Sequence, residues 1–187
     1  MINMWRLTII LGLALLVSGC IFTRERFIPV KYYDIGNPDN TKYASTSLRV
    51  GAFTVTGPYR QEMVFRTEKN ELVKDQYSRW VQAPDDMLRR YLKIAFPDTS
   101  GKKEYAVTGN ILTFEADMNT REAVLVIEYR ITSASSVESV LLERTFTSRK
   151  KFEGNSPEVL AGAMATAVAD FADSMCKELK DLSVKQK

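Results

Sequence analysis

Tyr105-Ala106-Val107-Thr108-Gly109-Asn110-Ile111-Leu112-Thr113-Phe114 carries Tyr105, Val107, Gly109, Ile111 and Thr113 at every second position, the period of a strand with two unlike faces. The phase blurs at Leu112 and Phe114, where a bulge or burial on both faces is expected. Two more runs of the same period follow: Ala123, Leu125, Ile127, Tyr129 and Ile131, then Val140, Leu142, Arg144 and Phe146. The joining segments, residues 117–121 and 133–136, are short and polar, so an antiparallel meander is the simplest connection.

One face of such a sheet needs cover, and the chain supplies a helix on each side of the meander. Downstream, Asn155-Ser156-Pro157-Glu158 reads as an N-cap followed by proline in the first helical turn. From there Leu160, Met164, Val168, Phe171, Met175, Leu179 and Leu182 recur at steps of three and four, which draws one apolar stripe. Ala161, Ala165, Ala169 and Ala172 flank it and permit close approach to a sheet. Upstream, Pro84 opens a second helix, and Asp85 and Asp86 suit its positive dipole end. Met87, Leu88, Tyr91, Leu92 and Ala95 line one face before Pro97 stops the run.

Earlier still, residues 27–35 read as a first strand, with Pro29 marking an edge or a strand start. Residues 36–46 have the composition of a loop. Leu48, Val50, Ala52 and Thr54 alternate with Arg49, Gly51, Phe53 and Val55 as the two faces of a second strand, and residues 63–66 and 71–74 form a hairpin around Glu68-Lys69-Asn70. The expected fold class is α+β: a two-layer domain, mostly antiparallel sheet covered by two helices, with residues 27–187 as a single periplasmic domain.

The first nineteen residues read differently. Arg6 precedes an apolar run over residues 7–17, broken only by Thr8 and Gly12, and Val17-Ser18-Gly19-Cys20 closes it. This is a secretory signal of the lipoprotein kind, and its apolar run is shorter than the roughly 18 to 20 residues a spanning helix needs. With Leu16 just upstream, the box resembles that of bacterial lipoproteins. The resemblance implies cleavage before Cys20, lipidation of its sulfur through a thioether, and acylation of the new amine. At about 0.8 kcal/mol per buried methylene, two or more chains anchor firmly where one binds marginally. Ile21, not aspartate, follows the cysteine, which by the same resemblance favours the periplasmic face of the outer membrane. Residues 20–26 are then the lipidated N-terminus and tether, and the six residues after Cys20 reach at most about 20 Å. Arg24, Arg26 and Lys31 add mild attraction to anionic headgroups.

Composition narrows the function further. At 45% hydrophobic and 26% charged residues, the chain has the balance of a folded domain rather than a disordered one. A net charge of +3 spread along the chain leaves no nucleic-acid footprint. Of the two cysteines, Cys20 would be consumed as a thioether by the implied lipidation and Cys176 neighbours the apolar stripe, so no intramolecular disulfide is expected. The absence of histidine removes the commonest general base, the Ser-His-Asp triad and every histidine-containing metal site. Asp85 and Asp86 are neighbours on a helix, so they point apart and serve the dipole rather than acid–base chemistry. With no Gly-rich phosphate loop, Cys-x-x-Cys pair or serine elbow in the chain, no enzyme, cofactor or metal is expected.

A series of short motifs completes the reading: Tyr32-Tyr33-Asp34-Ile35, Arg49-Val50-Gly51-Ala52-Phe53, Tyr59-Arg60-Gln61-Glu62-Met63-Val64-Phe65-Arg66, Asn70-Glu71-Leu72 and Tyr77-Ser78-Arg79-Trp80, followed by Pro84 and Leu88. In this order they resemble the ABC-type transport auxiliary lipoproteins, the paraquat-inducible protein C-like family. Tyr59 and Gln61 stand where that family usually has Asp and Pro. The resemblance implies an accessory or adaptor lipoprotein of an intermembrane lipid transport system built from an ATPase, a permease and a mammalian-cell-entry (MCE) domain protein, and it allows a ring-like homo-oligomer. Candidate partner contacts are Tyr59, Arg60, Arg66, Arg79 and Trp80, Trp and Arg being enriched where proteins meet. For Trp80 the competing role is packing the sheet against the first helix, and for the Leu160 to Leu182 stripe core packing competes with receipt of a lipid or partner helix. The alternative function is a structural or assembly lipoprotein of another envelope complex.

Overall fold

The computed structural model describes residues 27–43, 48–97 and 104–185; the signal segment, Cys20 and the tether lie outside the described residues. Its strands are β1 (Lys31–Tyr33), β2 (Leu48–Val55), β3 (Glu62–Arg66), β4 (Leu72–Trp80), β5 (Tyr105–Asp117), β6 (Glu122–Ser133) and β7 (Ser136–Lys151). Helix α1 spans Pro84–Ala95, α2 spans Pro157–Lys185, and a 3-10 turn covers Asn40–Tyr43. All seven strands join one mixed sheet in the order β1-β4-β3-β5-β6-β7, with β2 also paired to β5.

The expected meander is present as antiparallel β5-β6-β7, and the expected hairpin as β3-β4, turned by Asn70 at φ 61°. Three parallel pairings complete the sheet: β1 with β4, β2 with β5, and β3 with β5. Periodicity records which side chains share a face but not which strand lies alongside, so these pairings are not legible in it. The first strand is shorter than expected. Only Lys31–Tyr33 pairs, at a sheet edge, one of the two positions that Pro29 allowed.

Both helices pack on the sheet, α1 on β2 and β5, α2 on β6 and β7. Pro84 starts α1, and Ala83 in the N-cap position makes no side-chain cap. Along α2, Leu160, Met164, Val168, Phe171, Met175 and Leu179 are buried, as is Cys176 beside them. The stripe is therefore core. Although α2 is long and apolar enough to cross a membrane, 56% of its most apolar window is buried against the sheet.

The second strand corrects the simple alternation. A bulge between Val50 and Phe53 reverses the phase, so Phe53 turns inward while Ala52 and Thr54 are exposed. Phe53 can cross the sheet only because residue 109 is glycine: a Cβ there would stand 2.7 Å from the Phe53 ring and 2.8 Å from the Glu128 carbonyl oxygen. The blurred phase at Leu112 is likewise a register shift between Ile111 and Thr113.

The 3-10 turn is held to α2 by Asp173, whose carboxylate accepts bonds from the Tyr43 hydroxyl at 2.6 Å and the Lys42 ammonium at 2.7 Å. Burial raises the Asp173 pKa, but the bonds from Lys42 and Tyr43 outweigh it and hold it below the usual carboxylate value. A depressed folded pKa gives stability that is present above the unfolded pKa, about 3.9, and is lost as pH falls through the folded value. Asp173→Asn should therefore be less stable than the parent at neutral pH. The loss should be only about 1 kcal/mol because solvent screens the pair, the Asp173 side chain being 43% exposed. The two proteins should converge in strong acid, which urea titrations at neutral and acidic pH will show.

Candidate functional site

β2 and β3 run along the same edge of β5, with Val55 opposite Ile111 and Phe65 opposite Ala116. Residues 56–61 bridge the gap between them. Gly57, at φ 96°, adopts the left-handed conformation that favours glycine and turns the chain so that Tyr59 points inward. Tyr59 is 4% exposed, and its hydroxyl donates to Glu115 Oε2 at 2.5 Å.

Arg66, the last residue of β3, reaches the same carboxylate. Its Nη2 donates to Glu115 Oε2 at 3.1 Å, and its Nε donates to Glu115 Oε1. Glu115 is 3% exposed, so three charge-assisted bonds satisfy a buried anion that would otherwise be costly. Burial first, then the bond to Glu115, raise the Tyr59 pKa. The bond to Glu115 likewise raises that of Arg66. All three groups are engaged with one another, and the arrangement braces the bridging loop against the sheet.

Arg60 points the other way. It is exposed, and its guanidinium donates to the Tyr59 carbonyl at 2.8 Å. Beside it lies an open groove of about 360 Å³ lined by Arg60, Gln61, Glu62, Gln82, Ala83 and Asp86. Arg79 stands opposite Glu62 across the β3–β4 pair; its Nε and the Gln82 Oε1 are buried without a hydrogen-bond partner. Trp80 is 2% exposed and meets Phe114 edge-on at 5.2 Å between centroids, while its backbone N–H donates to the Gln61 carbonyl at 2.6 Å.

The five sequence-picked residues thus gather around one loop but do different things. Tyr59 and Arg66 brace it from within, Trp80 supports it from the core, Arg79 is half-buried at its side, and Arg60 is offered to solvent. Glu115 is the residue that sequence reasoning missed. The available signal was a lone carboxylate between two apolar residues in Phe114-Glu115-Ala116. Elsewhere, Asp86 pairs with Arg89 on the same helix. Among the described residues no group of three or more Cys, Asp or Glu side chains is placed to hold a metal ion.

These features define a two-layer α+β domain with an internally braced surface loop. The same fold is found in the crystal structure of protein XCC0632 from Xanthomonas campestris, of the family named DUF330, at 16% identity and a TM-score of 0.68, covering 84% of this chain and 98% of that one. A second crystal structure, of an uncharacterized protein, is similar at 15% identity and a TM-score of 0.65, covering 81% and 99%. The family described as ABC-type transport auxiliary lipoprotein component matches residues 59–176, and the chain belongs to that family. No curated protein matches the chain.

Proposed function

We propose that this protein is a lipid-anchored accessory component of an MCE-type ABC transport system, held at the periplasmic face of the outer membrane through Cys20. The family match over residues 59–176 carries the reading, and the signal ending at Val17-Ser18-Gly19-Cys20 supports the anchor. The protein contributes position and contact rather than chemistry. Its partner surface is the loop around Arg60 and Gln61 with the adjoining groove, whose shape Tyr59, Glu115 and Arg66 maintain.

The test is genetic and biochemical. Deletion of the gene should weaken the outer-membrane lipid barrier to the same degree as deletion of the associated permease, and the double deletion should add nothing. Affinity isolation from crosslinked envelopes should recover an MCE-domain protein with its permease and ATPase. Recovery of outer-membrane barrels or cell-wall proteins in their place, with the barrier intact, would select the alternative of an assembly lipoprotein.

A further inference from the structure

Phe27 is 90% exposed, whereas every other phenylalanine among the described residues is buried or half-buried. It opens a short apolar surface with Ile28 (51% exposed), Val30 (41%) and Tyr32 (60%). Tyr32 lies opposite Arg79 in the β1–β4 pair, and Tyr77 stands two residues before Arg79 on β4, so Tyr32 and Tyr77 project from the same side of the sheet. Tyr77 is itself 44% exposed. The neighbouring Tyr33 and Trp80 face the other way, into or against the core.

This surface is fixed to the domain, not hung from it. The Tyr33 hydroxyl donates to Glu158 Oε1 at 3.0 Å, and Lys31 Nζ lies 3.7 Å from the same carboxylate. Both join β1 to the first turn of α2. The orientation of the patch therefore sets the orientation of the whole sheet and of the groove beside Arg60.

We infer that Phe27, Ile28, Val30, Tyr32 and Tyr77 form a membrane-contact surface that seats in the headgroup region of the phospholipid bilayer carrying the anchor. The inference rests on the lipid-anchor reading given above. Position selects the occupant: six residues separate Cys20 from Phe27, a reach of at most about 20 Å, so an anchored chain delivers this patch to the bilayer before any other described segment. Chemistry agrees. Aromatic and aliphatic side chains flanked by cations partition to the interface, rings at headgroup depth and charges toward phosphate. Here Arg24 and Arg26 immediately precede the apolar residues, with Glu25 as the one acidic residue between them. Two attachment points, acyl chains and patch, would hold the domain at one tilt instead of letting it swing on its tether.

The test uses the mature acylated protein in vesicles of phosphatidylethanolamine and phosphatidylglycerol. Flotation reads the anchor, and fluorescence of a Phe27→Trp variant reads the patch. Trp80 is buried and sets the background. The expected result is blue-shifted emission from Phe27→Trp, quenched several-fold more strongly by lipids brominated on their acyl chains than emission from Thr145→Trp. Thr145 is exposed on β7, at the sheet edge opposite β1. Flotation without quenching would overturn the contact surface while leaving the anchor intact. Emission that shifts with protein concentration but not with brominated lipid would assign the patch to a second copy, and overturns the proposal equally. Loss of flotation would remove the anchor reading and the inference together.

Discussion

Phe171→Ala should destabilise the domain by about 4 kcal/mol, within the range for a large aromatic truncated in a packed core, and should lower the urea midpoint with little change in slope. Phe171 is fully buried. Its ring lies 5.2 Å from Phe146, 5.3 Å from Tyr129 and 6.4 Å from Phe53 between centroids, so one side chain joins α2 to β2, β6 and β7. The three partners sit on strands brought together by different pairings, and no one of them can move in to fill the vacated space without leaving its own register. The cavity term should therefore add to the transfer term instead of relaxing away. Tyr129 also donates to Glu178 at 2.5 Å from the same helix, which restrains its ring further. Val159→Ala, at a site 36% exposed on α2, should stay within about 0.5 kcal/mol of the parent. A Phe171→Ala loss no larger than that control would mean the helix is not packed through this ring.

The same ring shows how much of the fold the sequence discloses. Its place in the stripe from Leu160 to Leu182 follows from helical spacing alone, and its partners Tyr129 and Phe146 follow from the alternation of the meander. Phe53 does not follow. It falls on the wrong side of the simple alternation, and only the bulge after Val50, with a glycine at 109 to admit the ring, turns it inward. Parallel pairing is illegible for a related reason: β2 and β3 share an edge of β5, and nothing local in either strand names β5 as its neighbour. At the candidate site, the motif from Tyr59 to Arg66 was visible as a set of residue types, but its inward direction was not. That direction depends on Glu115, about fifty residues away in sequence and brought close by the β3–β5 pairing. Arg60 and Gln61, which follow the inward-turned Tyr59, are exposed.

Glu115→Ala should cost about 3 kcal/mol, the lower part of the range for removing one partner of a buried ion pair. The lower part applies because Arg66 is 30% exposed and recovers some hydration, whereas the Glu115 side chain is only 2% exposed. The alanine deprives the Arg66 guanidinium and the Tyr59 phenol of their shared carboxylate, to which the Tyr59 hydroxyl donated at 2.5 Å. Tyr59→Phe should cost less, about 1 kcal/mol, since it deletes one bond and leaves Glu115 paired with Arg66. The pairwise character of the brace is the sharper test. Replacing both charges, Glu115→Leu with Arg66→Met, should be less damaging than the sum of the two single changes by about 2 kcal/mol, because the double variant leaves no unpaired buried charge. Strict additivity would show that the carboxylate and guanidinium do not depend on each other. If they do, the single variant Glu115→Ala should also expose residues 57–61 to limited proteolysis at denaturant concentrations where the parent resists, since the loop then keeps its turn at Gly57 but loses the bond that draws Tyr59 under the sheet edge. If the loop at Arg60 is the partner surface proposed above, partner binding should fall in parallel with that loosening, even though Glu115 itself is buried.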